Sequence, residues 1–171
     1  MVEVRAGASE LARKSVRYRR DILEFIADAG AGHTGGSLSC IDIINVLYNG
    51  VMDITPSNFA SLDRDHYIQS KGHSVEGLYV VLADKGFFPT SELKTGGRFQ
   101  SHFVGHPTRK VPGVEHNTGG LGHGLSVAIG LAFAAEMDGR SSRSFCLLGD
   151  GELGEGSNWE AAMSAAYYGL D

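Results

Sequence analysis

The sequence predicts an α/β fold in which a parallel sheet is flanked by helices. Two segments carry this prediction, because each has the pattern of a short apolar strand, a glycine-containing turn and a helix. The first spans residues 65–83 and the second spans residues 144–167. Stretches with the apolar period of an amphipathic helix lie before and between them. This alternation of strands and helices is typical of a parallel sheet with helical crossovers.

Length and composition fit one domain with a substantial core. The 171 residues are 42% hydrophobic and 20% charged, as in ordinary globular proteins. The net charge of −5 disfavours a nucleic-acid partner. No apolar run approaches the roughly 20 residues of a membrane span. Cys40 and Cys146 lie in apolar segments and are predicted to be buried thiols, which favours a reducing, cytoplasmic compartment.

The first helix is predicted over residues 9–29, with an apolar stripe that includes Tyr18, Ile22 and Phe25. A glycine-rich loop follows, and Ser37 or Ser39 is predicted to cap the second helix. His33 therefore lies in a loop at a helix N-terminus, where the helix dipole favours anions. Taken alone, such a histidine is more often a loop residue with a backbone partner.

The first strand is predicted over residues 65–70 and ends in Lys71-Gly72-His73, after which a helix begins. His73 would then lie at the carboxyl end of a parallel strand, where ligands bind in open α/β sheets. A histidine at a helix N-terminus without a ligand is the simpler interpretation of His73 alone.

Residues 96–118 have no clear period and carry basic side chains together with His102, His106 and His116. Such a loop suits an anionic substrate, although a disordered surface loop is the alternative. The glycine-rich residues 117–124 then run into a helix. They do not follow a strand, which excludes a dinucleotide-binding loop and favours a glycine-lined shelf against a flat ligand ring.

The second strand is predicted as a buried parallel strand that ends in Gly149-Asp150-Gly151. Glycine lets backbone amides approach a phosphate, and a neighbouring carboxylate can hold the Mg²⁺ that offsets the charge of a diphosphate. A strand-to-helix turn with a capping Asp150 is the structural alternative. In the helix that follows, Ser157 and Glu160 are predicted to form a capping box. One apolar face of this helix is predicted to carry Trp159, Ala162, Met163, Ala166 and Tyr167.

Five short motifs occur in the order seen in transketolases. The chain resembles the N-terminal, diphosphate-binding half of that family over nearly all of residues 9–171, and especially the version encoded as a separate subunit. The resemblance implies the thiamine diphosphate-binding fold, with thiamine diphosphate and Mg²⁺ (or Ca²⁺ or Mn²⁺) as cofactors. The motifs are Gly32-His33-x-Gly-Gly-Ser-Leu-Ser, Lys71-Gly72-His73, Gly105-His106-Pro107, Thr118-Gly119-Gly120-Leu121-Gly122-His123-Gly124 and Gly149-Asp150-Gly151-x-x-x-Glu155-Gly156.

The resemblance also implies site residues. The implied metal ligand is Asp150. The implied catalytic residues are the histidines His33, His73 and His106, of which His33 and His106 match residues that meet the sugar oxygens. The implied cofactor-binding residues are His73, Gly119, Gly120, Leu121, Gly151 and Glu155. Among these, Gly119 and Leu121 match the backbone shelf under the aminopyrimidine, and Glu155 matches an acidic residue at the active-site interface. His123 stands where many family members have glutamine.

The implied activity is transfer of a two-carbon ketol unit from a ketose phosphate to an aldose phosphate, as in the pentose phosphate pathway. The family's second metal ligand and its pyrimidine-binding half have no counterpart in this sequence. Residues 1–171 are therefore predicted to be a diphosphate-binding domain that is incomplete at its C-terminus. The implied partner is a C-terminal, pyrimidine-binding transketolase subunit, in a homo- or hetero-oligomer. Without it, we expect weak cofactor binding and no turnover.

Two other interpretations stay open at the level of sequence. One is another thiamine diphosphate enzyme, similar to a 1-deoxyxylulose-5-phosphate synthase. Glu155-Gly156 and the Gly105-His106-Pro107 loop argue against it. The other is a non-catalytic fragment that keeps the fold, against which the retained histidines and Asp150 argue.

Overall fold

The computed structural model describes residues 6–170, in which five α-helices surround two short parallel strands. This arrangement confirms the predicted α/β fold. Short 3-10 helices cover Gly72–Ser74, Thr90–Thr95 and Gly151–Gly154, and Leu47–Val51 forms a π-helical turn. In chain order, the main elements are α1 (Ala8–Ala29), α2 (Thr34–Val46), β1 (His66–Gln69), α3 (Val75–Asp84), α4 (Gly124–Met137), β2 (Ser144–Leu147) and α5 (Gly156–Tyr168).

The two strands end at the same edge of the sheet. His66 pairs with Ser144 and Gln69 with Leu147, and α4 packs against both strands. The prediction that β2 is buried is wrong, because all four of its residues are only half-buried. The physical reason is that β2 lies at the margin of the core: Tyr67 of β1 belongs to the buried cluster, whereas Phe145 and Leu147 of β2 only pack against it.

The core is formed by α1, α2, α3 and β1. Tyr18, Ile22 and Phe25 of α1 are buried, which confirms the predicted apolar stripe. The Phe25 ring meets that of Tyr79 edge to face, with centroids 5.9 Å apart. Helix α3 is buried from Val75 to Ala83, so it runs through the centre of the packed helices rather than along the surface.

The second helix begins earlier than predicted. α2 starts at Thr34 with His33 at its N-cap position, so neither Ser37 nor Ser39 caps it. Ser37 is instead fully buried and donates a hydrogen bond to the Glu76 carboxylate. The Ser37 hydroxyl therefore bonds to Glu76, which is distant in sequence, instead of capping the helix.

The fifth helix shows a similar departure. α5 starts at Gly156 with Glu155 at its N-cap position, so the predicted capping box of Ser157 and Glu160 does not form. The Ser157 hydroxyl donates to the Gly122 carbonyl at 2.7 Å. This bond ties the start of α5 to the loop before α4.

The apolar face predicted for α5 is exposed. Trp159, Met163 and Tyr167 are 60%, 66% and 83% exposed, whereas Asn158 and Ala161 are the buried residues of this helix. No described element covers this face. The apolar periodicity predicts which residues of α5 share a face, but it does not predict what packs against that face.

Both cysteines are free thiols. Cys40 is buried as predicted, whereas Cys146 in β2 is only half-buried. Burial raises the pKa of the Cys40 thiol, and it raises that of Cys146 to about 12, so both thiols stay protonated near neutral pH. None of the helices in the described part of the chain is long and apolar enough to cross a membrane.

Candidate functional site

The candidate site lies at the carboxyl edge of the two strands. The chain leaves β1 through Ser70 and Lys71 and leaves β2 through Gly149, and the Lys71 N–H donates to the Leu147 carbonyl at 3.1 Å. The glycine-rich loop before α4 joins the same edge, because the Thr118 hydroxyl donates to the Gln69 carbonyl at 2.7 Å. Three loops that are far apart in sequence therefore meet at one place.

Three predicted histidines come together at this edge. The ring centroid of His33 lies 5.5 Å from that of His73 and 6.2 Å from that of His106. The buried helix α3 holds the backbone of His106 in place. The hydroxyl of Tyr79, which lies in α3, donates hydrogen bonds of 3.0 and 3.2 Å to the Val104 and His106 carbonyls. The cluster thus combines residues from three separate segments.

The surroundings of His73 favour its neutral form. Its partial burial lowers the pKa of the imidazole, and the positive charge of Lys71 and the neighbouring His33 and His106 lower it further. The negative charge of Glu152 opposes them without reversing the net direction. A neutral imidazole can donate at one nitrogen and accept at the other, which suits contact with a sugar or a phosphate oxygen.

Close packing of the glycine loops forms the shelf next to the histidines. A Cβ on Gly72 would lie 2.9 Å from the Thr118 hydroxyl and 3.1 Å from the Gly119 nitrogen, so this position requires glycine. Gly119 has a φ of +148° and lies against the His106 ring. Gly119, Gly120 and Leu121 are exposed, which leaves their backbone open to a ligand.

Asp150 presents a free carboxylate beside this shelf. It is exposed, and its side chain makes no hydrogen bond or ion pair to any residue in the 6–170 range. Gly151 is also exposed, with open space where a side chain would project. Glu155 is exposed at the start of α5 and packs against Gly122. One carboxylate oxygen beside an open backbone could serve as a ligand for a hard cation.

Asp150 would need further ligands to hold a metal. Across the described residues, no group of three His, Cys, Asp or Glu side chains is arranged to bind one. Mg²⁺ commonly takes one or two carboxylates together with water and phosphate oxygens. Asp150 would then supply one protein ligand at this edge, with water and phosphate oxygens as the others.

Two buried glutamates belong to the site although the sequence analysis missed them. Glu76 and Glu152 are each 1% exposed. Glu76 accepts hydrogen bonds from the His33 N–H at 3.1 Å and from the Ser37 hydroxyl at 2.6 Å. The signal was present, because Glu76 lies in the otherwise apolar start of α3, and a buried charge needs polar partners.

The other predicted histidines lie elsewhere. His102 lines a separate cavity of ≈ 400 Å³. His123 is exposed, and its Nδ1 lies 2.9 Å from the Leu121 carbonyl. His116 is exposed. The loop that carries His102 is packed, because Phe103 and the later Val111 and Val114 are buried in the core. The cavity is also lined by Ser101, Val104, Thr108, Arg109, Lys110 and Asn117.

Comparisons with known proteins agree with this geometry. Residues 12–171 match the family described as transketolase, thiamine diphosphate binding domain. The chain is 48% identical over 158 residues to one subunit of the apulose-4-phosphate transketolase of Phocaeicola vulgatus, covering 92% of this chain and 56% of that protein. It is 39% identical over 156 residues to the transketolase of Pongo abelii, covering 91% of this chain and 25% of that protein.

The solved structures give the same result. The transketolase of Campylobacter jejuni superposes with a TM-score of 0.89 at 30% identity, over 96% of this chain and 27% of that one. The chain spans 56% to 59% of the length of the apulose-4-phosphate transketolase subunits from Phocaeicola vulgatus and Actinobacillus succinogenes. The match to the family model covers nearly the whole sequence. The chain therefore belongs to the transketolase N-terminal, thiamine diphosphate-binding domain family.

Proposed function

We propose that this chain is the diphosphate-binding half of a transketolase that transfers a two-carbon ketol unit from a ketose phosphate to an aldose phosphate. The observation that carries the proposal is the position of the His33, His73 and His106 cluster at the same sheet edge as the free Asp150 carboxylate. A metal-bound diphosphate and a polar sugar need these two groups side by side.

The residues present fit thiamine diphosphate and Mg²⁺. Asp150 would supply a metal ligand, and the open backbone at Gly151 would face the diphosphate. The exposed shelf of Gly119, Gly120 and Leu121 would carry the aminopyrimidine, with His73 on the diphosphate side and Glu155 at the interface with a partner. When bound, the cofactor supplies the carbon nucleophile that cleaves the bond beside a ketose carbonyl.

The histidines act on the sugar. His33 and His106 would donate hydrogen bonds to the sugar carbonyl and hydroxyl oxygens, and the neutral His73 can exchange a proton at the diphosphate side. Donors placed before the reaction stabilise an oxygen that gains negative charge without rearranging in the transition state. Their cross-loop packing supports this role, because it fixes all three rings around one space.

A partner subunit completes the enzyme in this proposal. The relatives from Phocaeicola vulgatus and Actinobacillus succinogenes are each named as one lettered subunit of a transketolase, which implies a second subunit for those proteins. We infer that residues 1–171 supply the diphosphate-binding part of the enzyme and work with a C-terminal, pyrimidine-binding subunit. The free thiols support a reducing, cytoplasmic location.

The substrate class is a sugar phosphate. Two relatives are named for apulose-4-phosphate and for 6-deoxy-6-sulfo-D-fructose, both sugars with an anionic group. The basic cavity of the 101–117 loop adds positive charge near the segment that carries His106. Whether the enzyme serves the pentose phosphate pathway depends on which sugar phosphates it accepts.

The activity test uses the native enzyme purified with the subunit that accompanies it. With thiamine diphosphate and Mg²⁺ present, we expect ketol transfer from a ketose phosphate to an aldose phosphate and no turnover of pyruvate. Asp150→Asn should abolish the Mg²⁺-dependent activity, while Glu92→Gln in the exposed 3-10 turn Thr90–Thr95 should not change it. Turnover of pyruvate in place of the ketose phosphate would contradict the proposal and favour a synthase of the 1-deoxyxylulose-5-phosphate type.

Cofactor binding by residues 1–171 alone gives a second test. Calorimetry with thiamine diphosphate and Mg²⁺ should detect weak binding or none, because the chain offers one metal ligand. The full assembly should bind in the low micromolar range or tighter. Low-micromolar binding by residues 1–171 alone would show that the domain is complete as it stands.

A further inference from the structure

We propose that Glu152 is a positioning residue that sets the Asp150 carboxylate against the glycine shelf and His73. This inference rests on the proposed function, since it concerns how that site is held for its cofactor. Within residues 6–170, the hydrogen bonds of the Glu152 side chain go to Ser70, Gly122 and Gly149, and none goes to a histidine. Glu152 is 1% exposed and lies where the three loops of the site meet.

One carboxylate joins all three loops. Its Oε1 accepts hydrogen bonds from the Ser70 hydroxyl and from the Gly122 N–H, the latter at 2.9 Å. Its Oε2 accepts the Gly149 N–H, also at 2.9 Å. Ser70 leads into His73, Gly122 follows Leu121, and Gly149 precedes Asp150. Each of the three loops that supply a proposed cofactor contact therefore donates one hydrogen bond to the Glu152 carboxylate.

All of the hydrogen bonds to the Glu152 side chain are donated to its carboxylate oxygens. The Ser70 oxygen accepts the Gly124 N–H at 3.1 Å, so its own hydrogen is free to point at the carboxylate. Two N–H groups and one O–H group then donate to Glu152, which donates to none of them. Both oxygens of the Glu152 side chain therefore act as acceptors, whereas the amide of a glutamine would turn one donor toward another donor.

The same residue also closes the turn that carries Asp150. The Asn158 amide donates to the Glu152 carbonyl at 2.7 Å, which fixes the start of α5. The Gly149 bond to the Glu152 side chain spans Asp150 and Gly151, so the metal ligand projects from a loop that is tied at both ends. Loss of the carboxylate would leave buried N–H groups at Gly122 and Gly149 without a partner.

A merely structural role predicts a different outcome from a positioning role. A buried carboxylate that only supports the fold would change the melting temperature and leave the affinity of the folded enzyme for its cofactor unchanged. A residue that orients a metal-binding loop changes that affinity, commonly by about 10- to 100-fold. His33 is tied by Glu76 and not by Glu152, so sugar binding should respond less.

The experiment compares three variants of the native enzyme, purified with its accompanying subunit. Glu152→Gln removes the acceptor-only geometry, and Glu152→Asp keeps the charge on a shorter side chain. The matched control is Asp65→Asn, which alters another buried carboxylate, at the start of β1 and about 16 Å along the strand direction from Ser70. The measurements are the dissociation constants of thiamine diphosphate and of Mg²⁺ by calorimetry, the KM of the ketose donor and the melting temperature.

We expect Glu152→Gln to weaken cofactor and Mg²⁺ binding by about 10- to 100-fold, with the donor KM within about threefold once the cofactor is saturating. Glu152→Asp should recover part of the affinity, and Asp65→Asn should lower the melting temperature without weakening the cofactor. Cofactor and Mg²⁺ affinities unchanged in folded Glu152→Gln would overturn this inference alone. Failure of the wild-type enzyme to bind thiamine diphosphate would overturn the proposed function, and this inference with it.

Discussion

Glu76 illustrates how a single buried side chain can place a proposed catalytic group. Its carboxylate accepts the backbone N–H of His33, and the Ser37 hydroxyl occupies its second oxygen. Gly32 packs so closely that a Cβ there would lie 2.8 Å from Glu76 Oε1. His33 is exposed and follows a run of glycines, so its backbone has few other constraints. The buried glutamate supplies the constraint that the loop sequence lacks.

Replacement of Glu76 by alanine should therefore disturb the sugar side of the site. We expect Glu76→Ala to lower kcat/KM for the ketose donor about tenfold, because the His33 N–H and the Ser37 hydroxyl lose a buried acceptor. Glu76→Gln should stay close to wild type, since its amide oxygen can accept the His33 N–H while its NH₂ group donates to Ser37. Steady-state kinetics at saturating cofactor measure both. Equal losses in the two variants would contradict this account.

Among the elements, the start of the parallel strand pair is held by charge rather than by apolar packing. Asp65 precedes β1 and accepts hydrogen bonds from the Asp53 N–H at 2.9 Å and from the backbone and side chain of Arg143, which precedes β2. Burial alone would raise the pKa of Asp65, but these donors outweigh it and the net pKa is lowered. The Asp65–Arg143 pair, whose members lie 78 residues apart in the chain, therefore joins the starts of the two strands.

Stability should fall in acid for this reason. A carboxyl group whose pKa is lower in the folded state stabilises the fold above its unfolded pKa of about 4 and loses that contribution as the pH falls through the folded value. The pKa values of Asp84 and Glu115 are also lowered despite their burial, because Lys14 and Tyr18 donate to the first, and His66 and Arg64 lie against the second and favour its charged form. Asp65, Asp84 and Glu115 therefore all stabilise the fold near neutral pH, and all lose that contribution in acid.

Urea unfolding at pH 7, 5, 4 and 3 tests this expectation. The free energy of unfolding should hold between pH 7 and 5 and decline below about pH 4. Asp65→Asn should cost about 1–3 kcal/mol at pH 7 and show a flatter decline in acid, because the titrating group is gone. Identical acid slopes for the wild type and the variant would show that Asp65 does not contribute.

On the scale of the whole molecule, the described chain has one well-covered side and one open side. The cluster built by α1, α2 and α3 is closely packed, whereas α4 and α5 expose large apolar side chains. Exposed contiguous apolar surface on this scale is typical of a protein interface. The exposed surface of α4 and α5 adjoins the Asp150 loop. A partner that buried this apolar surface would therefore also border the site. The most exposed of these side chains are Met137, Trp159, Met163, Tyr167 and Tyr168.

Residues 1–171 on their own should bind a hydrophobic dye. We expect strong fluorescence of 8-anilinonaphthalene-1-sulfonate with the isolated chain, and a marked decrease when the proposed subunit covers α4 and α5. An unrelated protein at equal concentration serves as the control. Met163→Lys together with Tyr167→Lys should lower the dye signal of the isolated chain. Unchanged dye fluorescence on assembly would show that the subunit binds elsewhere.

The sequence by itself determined the α/β class, the approximate bounds of α1, the starts of α3 and α4, and the loops that carry His33, His73, His106 and Asp150. Periodicity and glycine placement are local properties, so they can be found without knowing the fold. Only the tertiary structure decided which loops meet, that Ser37 and Ser157 bond to distant partners instead of capping helices, and that Glu76 and Glu152 are buried. A carboxylate is placed inside a protein by donors brought from distant segments, and no local pattern records where those donors come from.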